Sequence, residues 1–215
     1  MKFSNVSKML FWACASKMAL ATRPTTSGSL LTFIGHGRQQ RSLVSETLTR
    51  IKSFSGVATD QKLPITCGEE VMSQKGHGTS EKPVQKDLRW NCDFETADRI
   101  CNFNRHYAEH AGYWATTNFL NEVKDANEVE DYYDSVTGKL LFKAPIGRSL
   151  EAFLKESASH GWPSFRDKEV NWDYVRCLEN GECVSIDGTH LGHNIPDSSG
   201  NRYCINLVSV AGKPE

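Results

Sequence analysis

Hydrophobic and polar positions along this chain follow two periods. Between Asp93 and Gly112, the residues Ala97, Ile100, Cys101, Asn104, Tyr107 and Ala108 recur every three or four positions. That spacing predicts one face of an α-helix, capped by Asp93 and ended or bent by Gly112. A second short helix is expected through Trp114, Phe119 and Leu120, and a third over 148–159, where Leu150, Phe153, Leu154 and Ala158 share a face. The remainder of the C-terminal half reads as short strands. Leu140, Leu141 and Phe142 return from a turn at Val136-Thr137-Gly138-Lys139, and the stretches 170–176 and 183–186 flank a turn at Glu179-Asn180-Gly181-Glu182. A last strand is expected over 203–210. Its alternation sets Cys204 and Asn206 on one face and Tyr203, Ile205 and Leu207 on the other.

Composition divides the chain before the first of these elements. Of 215 residues, none before Glu46 is acidic, while Ser, Thr, Lys and Arg are frequent there. Residues 1–55 therefore read as an organellar transit peptide, for mitochondrion or plastid, with a secretory signal or an unaddressed basic tail and a cytoplasmic location as the alternatives. The apolar patch from Met9 to Ala15 is too short to span a bilayer, so no membrane partner is expected. Residues 56–86 are rich in Gly, Pro, Thr, Ser and Lys and read as a linker, 87–126 as a helical, aromatic-rich extension, and 127–215 as the catalytic domain. A formal net charge of -1 gives no reason to expect nucleic acid as a partner. Seven cysteines at irregular spacings do not form a secreted disulfide framework, so most are expected as free thiols.

Candidate chemistry concentrates in 188–209. Cys204 is preceded by Arg202 and by His190 and His193, positive or protonatable groups of the kind that favour a thiolate over a thiol. A nucleophilic or redox-active cysteine is the first expectation. In the extension, Cys92, Cys101, His106 and His110 offer two thiols and two imidazoles, the histidines at i, i+4 on the expected helix. Two readings stay open there: an apolar face covering the catalytic domain, or a metal site.

Four pieces occur in one order: Gly161-Trp162-Pro163-Ser164-Phe165, His190-Leu191-Gly192-His193, Pro196-Asp197 and Arg202-Tyr203-Cys204-Ile205-Asn206. Together with the stretch from Tyr133 to Phe142, they resemble the R-type methionine sulfoxide reductase family over 131–210. The resemblance implies a mainly β fold, a small antiparallel barrel or tent with a helical N-terminal flank, α+β overall. It also implies a reaction in which Cys204 attacks the sulfoxide sulfur and is left as sulfenic acid. In that reaction His193 protonates the departing oxygen, His190 assists or orients it, and Asn206 hydrogen-bonds substrate. Asp197 would hold a histidine in its protonated form, Arg202 would place positive charge beside the sulfur, and Trp162, backed by Phe165, would receive the methyl group. The implied partners are oxidised proteins or free methionine sulfoxide and a thioredoxin-like reductant, acting on a monomer without a bound cofactor. A catalytically silent relative using the same β fold as a binding module is the alternative.

Two departures from the family pattern bear on this. Many relatives carry four zinc cysteines, and the corresponding positions here are Asp134, Thr137, Val184 and Asp187, which cannot form a tetrahedral thiolate site. Hairpins fastened by local packing are expected instead. The resolving cysteine of some relatives is His160 here, so a Cys204 sulfenate would be resolved by Cys177 or Cys183, by an upstream thiol such as Cys101, or directly by the reductant.

Overall fold

The computed structural model describes residues 62–126 and 128–215, and the leader expected over 1–55 lies outside them. In chain order the elements are α1 (Phe94–Asp98), α2 (Phe119–Ala126), β1 (Glu130–Tyr133), β2 (Leu140–Ala144), α3 (Leu150–His160), β3 (Ser164–Phe165), β4 (Val175–Cys177), β5 (Glu182–Ser185), β6 (His190–Asn194) and β7 (Tyr203–Ile205). No helix among the described residues is long and apolar enough to cross a membrane.

Two antiparallel sheets carry the fold. β1 and β2 form a hairpin, and the other five strands pair in the order β3-β7-β6-β5-β4. The five-stranded sheet does not close, so this is the open, tent-like form of the expected β architecture with helices on its flank. The pleat gives the sheet two chemically different faces. Register pairs Cys183 with Gly192 and Gly192 with Ile205, and Phe165 with Tyr203. These positions look into the main apolar core, where Phe165 stacks on Phe142 at 4.4 Å between ring centroids and meets Tyr132 at 4.9 Å. The opposite face carries the row Glu182, His193, Cys204 and Ser164.

The helices follow their caps. Asp93 accepts from the Thr96 N–H at 2.8 Å to start α1, and Ser149 accepts from Ala152 N–H at 3.1 Å to start α3, which Gly161 ends with φ 88°. α3 occupies the stretch expected of it. The helix expected up to Gly112 does not: α1 passes into a single π turn, Arg99–Phe103, and helical structure stops there. The Asn104 side chain accepts the His106 N–H at 3.3 Å, a local turn that competes with continued helix. Beyond it the chain is drawn over the sheet, with Gly112 N–H bonded to the Gly161 carbonyl at 2.8 Å. His106 and His110 therefore do not share a helical face. Among the described residues no group of three or more His, Cys, Asp and Glu is placed to hold a metal ion.

Three further boundaries differ from the sequence pattern. The stretch read as a linker is packed over 62–86: Met72 is buried against Leu178 and Val184, and Val84 against Ile100, Cys101 and Val208. Its backbone also clasps the sheet edge, with Cys67 N–H on the Cys177 carbonyl and Cys177 N–H on the Ile65 carbonyl. Most of 170–176 is turn rather than strand, because Asn171 accepts from the Tyr174 and Val175 N–H groups. The last strand stops at Ile205. There Asn206 donates its N–H to Leu191, and a 3-10 turn over Leu207–Ser209 follows.

Candidate active site

The polar face of the sheet opens into a cleft of about 160 Å³ lined by His106, Tyr107, Ala108, Trp162, His190, Gly192, His193, Ile195, Cys204 and Asn206. Five residues of the expected reductase site thus meet in one place, Cys204, His190, His193, Asn206 and Trp162, and His106, singled out for a metal site instead, lines the same cleft. Their convergence follows from register. His193 faces Cys204 across β6 and β7, and Asn206 lies two residues beyond Cys204 on the same side.

Cys204 is half-buried. Arg202 Nη1 lies 2.5 Å from its Sγ, and Ser164 Oγ lies 3.8 Å away. The guanidinium is itself braced: Asp197 Oδ2 stands 3.3 Å from Arg202 Nε at ion-pair distance, although without hydrogen-bond geometry. Asp197 also takes a fork from Arg166 at 2.8 and 3.1 Å, and these contacts, with the Ser199 N–H, hold its carboxyl down at about 2. Asp197 is therefore a partner of arginines, not of a histidine as expected from sequence.

The histidine partner is Glu182. It is almost fully buried and receives His190 Nδ1 at 2.8 Å, while Arg105 contributes Nε at 3.0 Å and Nη2 at 2.7 Å. Burial pushes the Glu182 carboxyl up, but the hydrogen bonds and charges of His190 and Arg105 outweigh it and hold it at about 2. The His190 and His193 rings stand 5.6 Å apart. Burial, followed by the charge of His190, pushes the His193 pKa down. Asn206 is buried, and its Nδ2 donor has no hydrogen-bond partner although the residue lines the cleft.

One wall of the cleft comes from the segment after the π turn. Trp162 Nε1 donates to the Glu109 carbonyl at 3.2 Å, and the Leu207 N–H donates to the Glu109 carboxyl. Glu109 is buried with Oε2 unpaired, and burial lifts its carboxyl to about 8.

Three expected site residues lie elsewhere. Phe165 is fully buried in the core, because the residue that shares the Cys204 face of β3 is its neighbour Ser164. Phe165 therefore does not back Trp162 in the cleft. Cys177 and Cys183 are a cross-strand pair with sulfurs 3.5 Å apart, on the core face opposite Cys204. Asp134, at one of the positions that the resemblance sets against zinc cysteines, is buried and accepts from Val136 N–H at 2.8 Å and from Thr189 Oγ1 at 3.0 Å. Asp187, at another, pairs with Lys139 at 2.8 Å. These contacts tie the β1–β2 turn to the β5–β6 turn.

Pattern reading missed Glu182, Arg105, Glu109 and Ser164. Glu182 was assigned to a turn. The available signal was a single acidic residue opening the apolar stretch Cys183-Val184. Glu109 had no comparable signal, since its burial depends on the departure of 104–112 from helix.

No family profile and no solved structure matches the chain. Curated proteins do. Over 88 residues it is 34% identical to the "Peptide methionine sulfoxide reductase MsrB" of Escherichia coli strain K12 / DH10B, and equally to that of strain SE11. The match covers 36% of this chain and 61% of each relative, so the chain spans about three fifths of their length. Over the matched stretch, the chain is similar to the MsrB peptide methionine sulfoxide reductases.

Proposed function

We propose that this chain is a peptide-methionine (R)-S-oxide reductase that uses Cys204 as its nucleophile. The observation that carries the reading is the cleft itself, in which the Cys204 sulfur sits 2.5 Å from a guanidinium and shares its walls with two imidazoles, an indole and an unpaired amide donor. Each element has a task in sulfoxide reduction. Arg202 presents positive charge to the attacking sulfur. Trp162 offers an apolar plate to the methyl-sulfur group, a contact worth about 0.3–1.5 kcal/mol. The Asn206 amide donates to the sulfoxide oxygen, for which it has a free N–H. His190 and His193 supply the proton that the departing oxygen takes up.

The balance is two electrons. The Cys204 thiolate bonds to the substrate sulfur and the protonated oxygen departs from it. That oxygen then bonds to the Cys204 sulfur as the sulfur–sulfur bond breaks, the electron pair stays with methionine, and Cys204 is left as sulfenic acid. One external thiol then condenses with the sulfenic acid and releases water. A second attacks the mixed disulfide and restores Cys204. Cys177 and Cys183 lie across the sheet from the sulfenic acid, which favours direct resolution by an external dithiol of the thioredoxin class. Protein-bound or free methionine sulfoxide is the proposed substrate, and the basic segment 1–55 is proposed as an organellar address.

Incubation with the separated R and S diastereomers of a methionine sulfoxide substrate plus dithiothreitol tests the reading. Turnover of the R form alone is expected. Reduction of the S form alone, or of neither, contradicts it.

A further inference from the structure

A buried polar contact beside the cleft lies not at the nucleophile but behind His190. Glu182 emerges on the same sheet face as His193 and Cys204, because register pairs Glu182 with His193 and His193 with Cys204. It is withdrawn from the cleft, however, and only 2% exposed. What reaches the cleft is the ring it holds. An ionised carboxylate has acceptor lone pairs and no hydrogen, so the 2.8 Å contact to His190 Nδ1 requires the proton on Nδ1. Nε2 is then the ring nitrogen left for the cleft, and the ring cannot turn over without breaking the contact.

The carboxylate is held ionised from outside the catalytic domain. Arg105, from the segment that follows the π turn, grips both Glu182 oxygens and extends its Nη2 to Glu69 Oε2 at 2.8 Å. Without the guanidinium, Glu182 would be a nearly dry carboxylate with a single imidazole partner. Such a group takes up a proton, becomes a donor, and reverses the tautomer of the ring it touches. The charged and titratable groups around His190 are Glu182 on β5, Arg105 and Glu69 behind it, and His193 on its own strand, with His106 and Cys204 across the cleft.

We propose that Glu182, braced by Arg105, is a positioning residue for His190: the pair keeps the proton on Nδ1, as the Nδ1–H tautomer when the ring is neutral, so that Nε2 is the nitrogen that takes up a proton and hands it to the reacting oxygen. The chemistry served rests on the reductase reading above, whereas the tautomer does not depend on it. The flank contributed by 99–110 is then part of the catalytic assembly and not only its cover.

The test uses the full chain, isotopically labelled, with long-range proton–nitrogen correlation of the imidazoles at a pH where His190 is neutral. Wild type is expected to show His190 protonated at Nδ1. Glu182→Leu and, with a less buried side chain, Arg105→Met are each expected to lose that pattern, and Arg105→Lys to retain most of it. In parallel, turnover of R-sulfoxide is expected to fall on the order of 10²-fold in kcat for Glu182→Leu, with KM moving by less than about threefold, a smaller loss than the roughly 10⁴-fold that follows removal of a triad aspartate. A wild-type Nε2–H pattern, or a pattern unchanged in both variants, overturns the proposal. Sulfoxide turnover that survives with the tautomer unlocked also overturns it while leaving the reductase reading intact. A locked tautomer in a chain that reduces neither diastereomer supports the positioning role and removes the reductase reading instead.

Discussion

At the scale of single residues, protonation and sheet face decide what each group can do. Glu109 is a carboxyl that burial raises to about 8, against the opposing hydrogen bond from Leu207 N–H. An unfolded glutamate titrates at about 4.3. Between those values the folded chain keeps a proton that the unfolded chain has released. This contribution to stability is therefore complete below the unfolded pKa and is lost as pH rises towards the folded one. The slope is at most about 1.4 kcal/mol per pH unit. Glu109→Gln is expected to flatten it, so urea midpoints taken at about pH 5 and about pH 8 should diverge in wild type and converge in the variant. The same attention to face applies to sulfur. Because Cys177 and Cys183 look into the core and Cys204 into the cleft, the double variant Cys177→Ala, Cys183→Ala is expected to lose about 1–3 kcal/mol of stability. Its dithiothreitol-supported turnover should stay within about twofold of wild type, a ratio that steady-state kinetics reads directly.

At the scale of elements, two hairpins are joined by side-chain contacts between their turns. Asp134 sits at the start of the β1–β2 turn and Thr189 at the end of the β5–β6 turn, and their hydrogen bond is buried. Asp134→Val removes the acceptor and leaves the Thr189 hydroxyl and the turn amides unpaired, for an expected loss of about 2–4 kcal/mol. Asp134→Asn keeps an acceptor oxygen and should cost about 1 kcal/mol. Chemical denaturation of the two variants side by side checks both values. The elements also show how far pattern carries. The hairpin turns, α3 and the alternation around Cys204 were legible because their signals are local: Asn180-Gly181, the apolar spacing of Leu150, Phe153, Leu154 and Ala158, and a period of two. The end of α1 was not. Its apolar period continues past Phe103, but Asn104 turns the chain and contacts from 104–112 to Gly161, Trp162 and Leu207 hold it over the sheet. Residues 62–86 misled for the opposite reason. Their composition is that of a linker, yet two buried apolar side chains, Met72 and Val84, and a shared backbone edge are enough to seat them.

At the scale of the whole described body, the polar face of one open sheet is converted into a cleft by a segment from outside the ordered motifs of 161–206. The sheet supplies sulfur, imidazoles and amide, and the flank supplies His106, Tyr107 and Ala108 as a wall and Arg105 as the brace of Glu182. Only the first set was written in a pattern that a reader of sequence can recognise. The second depends on long-range packing. The central claim is that the sulfur of Cys204 takes oxygen from a sulfoxide. A single turnover without reductant tests it most directly: the chain is mixed with R-methionine sulfoxide substrate, the sulfenic acid is trapped with dimedone, and the adduct is located by peptide mass spectrometry. The account predicts about one methionine formed per chain, an adduct on Cys204, and neither product from Cys204→Ser. Methionine formed in equal yield by Cys204→Ser, or an adduct on another cysteine with Cys204 unmodified, would contradict it.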